Sequence, residues 1–268
     1  MAKYKKKRAR ELQHDRFRDT TMGFFDRLGN LLEGRGRTIL YGLAGLLVAG
    51  LIVVWLVNRS HTKGDEAEQA IGRAITISKA SVMPAPVAGS TEPSFATEQE
   101  RAQSAIAEFE KVAAKYGDPY KSQSQYFIAT NRLLLDRPKG ISELEGLTKS
   151  GVAEVATLSK FALAQAKESD RKLDEAAQLY TDLAKQNSPT VTAETANLRL
   201  AKVYIKQGKN KEAADLLFNI VDASRKAKGA DNQPIPATAA AREADDELKK
   251  LDPDRHAQLP PDTSSLAG

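Results

Sequence analysis

Cysteine is absent from all 268 residues. That excludes disulfides, thiolate metal sites and a lipid-modified cysteine anchor, so any folded part must hold itself together by packing. Histidine is nearly as scarce. His14 lies in a basic N-terminal segment, His61 follows a long apolar run, and His256 falls near the C-terminus. None is expected on a packed helix beside a carboxylate at ligand spacing, so no metal or acid–base role is expected for them. There is no G-x-x-x-x-G-K-[ST] phosphate loop, no H-E-x-x-H and no G-x-S-x-G turn. Carboxylate clusters such as Asp245-Asp246-Glu247 read as solvated helix faces rather than paired acids. The chain is therefore expected not to be an enzyme, with no cofactor, metal or small-molecule substrate implied. Aromatics make up only 6% of the residues, and β-branched alternation is nearly missing. Ala, Leu, Lys, Glu and Gln dominate instead, which favours helix.

One feature stands out against the 28% of charged residues. "TILYGLAGLLVAGLIVVWLV", residues 38–57, contains no charge at all. Twenty helical residues reach about 30 Å, the hydrocarbon thickness of a bilayer. A core helix of this length would carry a polar face, and a cleaved signal would be shorter with small residues at its end. The run is read as an uncleaved transmembrane helix. Within it Gly45 and Ala49 form a small-xxx-small pair suited to helix packing in lipid. Residues 1–37 hold eleven Lys and Arg against five acids, a net of +6, whereas the whole chain carries +5, so the remainder is close to neutral. Positive charge beside a span stays cytoplasmic, which predicts an N-inside, C-outside topology. "MAKYKKKRAR" is read as a solvated tail that reinforces this orientation; contact with nucleic acid is not expected. In "FFDRLGNLLEGRGR", Phe24, Phe25, Leu28, Leu31 and Leu32 form an apolar stripe suited to a short helix on the membrane surface.

Beyond the span the punctuation is helical. Residues 58–95 read as a juxtamembrane helix, about Glu66 to Lys79, followed by a Pro-rich linker from Ser81 to Ser94. Thr97 with Glu100 makes a capping-box pattern, and Asp118-Pro119 and Ser188-Pro189 each place a capping side chain before proline. Residues 96–226 repeat internally. In "LRLAKVYIKQGKNKEAADLLFNI", Leu200, Ala201, Tyr204, Gly208, Ala213, Leu217 and Ile220 fall at the offsets of a tetratricopeptide helix pair. Small Ala201 and Ala213 let the two helices approach, Tyr204 and Leu217 fill the space between them, and Gly208 ends the first helix in a left-handed cap. Thirty-seven residues earlier Leu163, Ala164, Ala176, Tyr180 and Leu183 repeat the pattern, with Lys167 in the aromatic slot and Arg171 in the glycine slot. Ala105, Phe109 and Val112 form a half-copy, and Ile128, Ala129 and Ile141 mark a degenerate fourth unit. Residues 227–268 read as a linker, a capping helix over 238–251 and a disordered tail. The fold class is all-α: one transmembrane helix followed by a tetratricopeptide-like stack.

A basic segment, a "FF…GRGR" stretch leading into one span with Trp55 near its far end, and a degenerate tetratricopeptide stack beyond it resemble the bacterial ancillary SecYEG translocon subunit family. The resemblance covers most of residues 22 to 226. It implies a single-pass inner-membrane protein whose periplasmic repeats sit near the Sec channel. The partners implied are Sec translocon subunits, a periplasmic chaperone or exported chains. The alternative is an assembly factor of another envelope complex, such as division or outer-membrane biogenesis, because repeat stacks are reused freely. By register, first-helix side chains would line the groove of the stack: Phe161 and Gln165 in one unit, Lys202 and Lys206 in the next. A lone cysteine introduced at Ser265 is expected to react with an impermeant maleimide in intact cells, or in spheroplasts where an outer membrane intervenes. An unlabelled Ser265→Cys chain would overturn the orientation.

Overall fold

The structure, a computed structural model, describes residues 64–83, 93–230 and 232–262. The basic segment and the apolar run, with Gly45 and Ala49, lie outside the described residues. Among those described, no helix is long and apolar enough to cross a membrane.

Glycine and proline are kept out of most helix interiors, and capping side chains mark where several of the helices start. Helix α1 covers residues 64–78. Two short strands follow, β1 (Ser81–Val82) and β2 (Ser94–Phe95). Then come α2 (Glu98–Lys115), α3 (Tyr120–Leu135), α4 (Arg137–Leu147), α5 (Ala153–Ser169), α6 (Leu173–Gln186), α7 (Ala193–Lys206), α8 (Asn210–Lys226), α9 (Ala239–Leu251) and α10 (Pro253–His256). Thr97 caps α2 by accepting from the Glu100 amide at 3.1 Å, while the Glu100 carboxylate reaches back to the Ala96 amide at 3.2 Å. Asp118 serves α3 in the same way, accepting from both the amide (3.1 Å) and the hydroxyl (2.6 Å) of Ser122. Those two bonds hold its carboxyl below the usual carboxylate range. Ser188-Pro189, in contrast, starts no helix. The Ser188 hydroxyl accepts from the Thr190 amide in a local turn, and Thr192 caps α7 four residues later. The Asn187 side chain adds to that start by accepting from the Ala193 amide at 3.1 Å, a donor that Thr192 does not use.

The helices pair into antiparallel hairpins, α1/α2, α3/α4, α5/α6 and α7/α8, with α9 laid against the last. The stretch from Ser81 to Ser94 is pinned at its ends, because β1 and β2 pair in parallel with Ser81 opposite Ser94. α1 thereby becomes the first helix of the α2 half-copy. Ala74 packs with Ala105, Ile106, Phe109 and Ile128, and the Phe109 ring stacks on Phe127 with centroids 4.8 Å apart. Within α3/α4 the closest approach falls at Gly140, where an added Cβ would lie 2.7 Å from the Leu133 amide nitrogen. Only glycine fits there. Ala164 and Ala176 are fully buried between α5 and α6, as are Ala201 and Ala213 between α7 and α8.

The two clearest copies superimpose at the level of individual hydrogen bonds. Gly208 has φ +75 and Arg171, thirty-seven residues earlier, has φ 59. In one unit the amide of Lys209 donates to the Tyr204 carbonyl at 2.9 Å, and in the other that of Lys172 donates to the Lys167 carbonyl at 2.9 Å. Both are Schellman closures of a first helix. Lys167 thus occupies the aromatic slot held by Tyr204 in the next unit. Its buried stem ends in an ammonium that meets Glu175 at 2.8 Å and Glu145 at 3.1 Å.

The C-terminal segment is not the disordered tail expected from residue 252 onward. Asp252 caps α10, Leu259 is buried in the cluster formed by α7, α8 and α9, and Arg225 donates to the Pro260 carbonyl. His256, expected in solution, lies 3.3 Å from Asp245, which also pairs with Arg225 at 2.6 Å. Low apolar content hid this docking: one leucine and several ion pairs are enough to hold a short segment against an already formed surface. Residues 263–268 lie outside the described residues.

A left-handed arginine is strained where glycine is not. Arg171→Gly is expected to raise the stability of the detergent-solubilised chain by about 0.5–1 kcal/mol, and Gly208→Arg to lower it by about 1 kcal/mol. The urea midpoint at constant m-value is the measurement; no shift in either variant would refute the equivalence of the two turns.

Candidate protein-binding surface

The first helices of the last two hairpins, α5 and α7, carry the residues expected to line a groove, with α9 packed beside α7, and the 37-residue offset makes Gln165 and Lys202 equivalent positions. Phe161 is half-buried. Its ring meets Tyr180 edge-on, with centroids 5.9 Å apart, and packs against the α5–α7 core. Gln165, one turn on, is exposed.

The two lysines do more than face solvent. Lys206 pairs with Glu168 of α5, and Lys202 pairs with Glu243 of α9. Thr238, the N-cap of α9, donates to Glu194 of α7 at 2.6 Å. Side chains of α7 therefore tie each first helix to the next. Glu168 is further held by the Tyr180 hydroxyl, which donates to it at 3.1 Å. Burial, reinforced by that carboxylate, pushes the Tyr180 hydroxyl well above the ordinary phenol range. The Lys202 hydrogen bond holds Glu243 below the usual carboxylate range. Second-helix and junction contacts follow the same logic: Arg137 of α4 bridges to Asp170 at 2.6 Å and to the Ala166 carbonyl at 2.9 Å, and Gln207 donates to Asp174 at 2.9 Å.

Beside this face, α7, α8 and the segment before α9 enclose a groove of about 460 Å³, walled by Leu216, Ile220 and Ala223 and rimmed by the exposed Ile235. Ile235 sits in the stretch read as a linker, and its "PIP" setting was the one available sign of a rigid apolar rim. Among the described residues no group of three or more His, Asp or Glu side chains is arranged to hold a metal ion.

The Lys202–Glu243 tie has a defined pH window. Glu243 has a lowered pKa when folded, so its contribution is present above its unfolded value of 4.5 and is lost as pH falls through the folded one. Amide exchange in residues 239–251, corrected for intrinsic rates, is expected to rise between pH 6 and pH 3 more than in α5. Lys202→Met should remove most of that difference; an unchanged pH response would refute the tie.

Residues 138–233 match the family described as tetratricopeptide repeat-like domain. No curated protein and no solved structure matches the chain. The matched residues run from within α4 through α8, the part where the hairpins repeat most closely, so a tetratricopeptide repeat-like domain is present in this chain.

Proposed function

We propose that this protein is a membrane-anchored, non-enzymatic scaffold whose helical repeats bind protein partners at the Sec translocon on the periplasmic face of a bacterial inner membrane. The observation that carries the binding reading is the stack itself. Repeat hairpins present a continuous face built from successive first helices, and such domains generally mediate protein–protein contact. The anchoring reading draws support from the uncharged run at 38–57 and from the basic excess before it. The translocon reading draws support from the resemblance in segment order, with Sec channel subunits, a periplasmic chaperone or exported chains as the partners. Gln165 is the best-placed reporter, because it is exposed and equivalent to Lys202 without being tied to a neighbouring helix.

A photo-crosslinking residue at Gln165, used in cells with mass spectrometry of the captured proteins, tests the reading. Sec subunits, a periplasmic chaperone or nascent exported chains are the expected captures. Recovery of a division or outer-membrane biogenesis complex instead would replace the translocon assignment and keep the scaffold. Capture of nothing, with the stack folded, would remove this face as the binding surface.

A further inference from the structure

The uncharged run ends at Val57 and α1 begins at residue 64, so the six residues between them reach no more than about 20 Å even when fully extended. The start of α1 is in turn tied to the end of α2, where Lys115 meets Glu66 at 3.3 Å. That pair brings the turn between α2 and α3 to the end of the first hairpin from which the tether leaves. Two tyrosines flank the turn. The rings of Tyr116 and Tyr120 meet edge-on with centroids 6.5 Å apart, and the Lys115 ammonium lies 4.9 Å over the Tyr116 ring. Both are half-buried and neither belongs to an apolar core cluster. Lys121, beside them, is exposed and forms no ion pair among the described residues. The nearby acids do not attract an anionic surface. Asp118 is turned back onto Ser122, and Asp65 and Glu68 stand exposed on the first turn of α1.

We propose that the α2–α3 turn rests on the phospholipid surface, with Tyr116 and Tyr120 at the level of the headgroups and Lys121 on a lipid phosphate, an inference that rests on the anchoring reading above. Tyrosine suits that depth. Its ring is apolar enough to enter the acyl boundary while its hydroxyl stays in the hydrated layer. A lysine stem can lie along the same boundary and keep its ammonium among the phosphates. Because Asp65 and Glu68 oppose a general attraction to anionic lipid, the rings carry the contact and a zwitterionic bilayer is sufficient for it. The short tether supplies the reason for a lipid partner: it keeps the turn within reach of the bilayer whatever the repeats bind. Two points of contact, the span and the turn, then fix the height of the first hairpin above the membrane.

The absence of cysteine allows a single fluorescent label to be placed at will. The full chain, in nanodiscs of phosphatidylcholine, carries the label at Gly117→Cys, where an added Cβ meets no atom within 4 Å, or at Lys139→Cys, exposed just beyond the far end of α3 and about 24 Å away. Phosphatidylcholine spin-labelled at its headgroup is expected to quench most of the fluorescence at 117 and to leave that at 139 unchanged. Tyr116→Ser combined with Tyr120→Ser should restore the signal at 117. Lys121→Glu, which alters an exposed side chain outside every core cluster, should reduce the quenching without touching the fold. If circular dichroism shows that the tyrosine pair cannot be replaced without loss of helix, Lys121→Glu decides. Equal quenching at 117 and 139, or quenching at 117 that survives these substitutions, would overturn the contact. Quenching that appears only with added anionic lipid would overturn the rings as its carriers. A chain that never enters the discs would sink the anchoring reading and this contact with it; an anchored chain left bright at 117 would sink this contact alone.

Discussion

The close approach of paired helices at alanine is the contact on which the rest of this structure depends. Ala164 against Ala176, and Ala201 against Ala213, are fully buried, and their small size lets the larger neighbours interlock. Tyr180 and Leu183 fill one interface while Leu217 and Ile220 fill the next. Each such side chain contributes about 1.5–3 kcal/mol when withdrawn from water, but only if the backbones come near enough for it to span the gap. A hairpin alone still leaves an apolar face open. Adding the next hairpin covers it and creates another, so the stack stabilises itself through neighbours.

That arithmetic makes the ends special. At the C-terminal end α9 and residues 252–262 close the cluster, Leu259 supplying the apolar contact and Arg225, Asp245 and His256 the polar ones. At the other end α1 covers α2 from across a connection whose limits are tied by two strand residues. Between the ends, ion pairs link neighbouring helices beside the apolar clusters they share. Exposed ion pairs each contribute little.

Lys167 shows how one unit can depart from its neighbour without losing the fold. The slot demands a long side chain that covers the space between two helices, and a lysine stem does this as tyrosine does. Its charge then requires acceptors, which Glu175 and Glu145 provide from flanking helices. The hydrogen bond to Glu175 raises the lysine above its ordinary range. Arg171 is a similar case: the turn requires a positive φ, and arginine accepts it at a cost that closure of the helix offsets.

What the sequence by itself determined is the helical class, the 37-residue repeat, the buried alanine and leucine positions of the two clearest copies, and the caps at Thr97 and Gly208. These follow from local chemistry: propensity, apolar period and hydrogen bonding within a few residues. Gly140 was not legible, because its necessity comes from the Leu133 backbone on the preceding helix. Nor were the partners of Lys202 and Lys206, which register placed on a groove and which Glu243 and Glu168 pair with from other helices. The docking of residues 252–262 and the failure of Ser188 to start a helix were likewise out of reach. Each depends on atoms far apart in the chain meeting at fixed distances, and only the packed hairpins decide which of them meet.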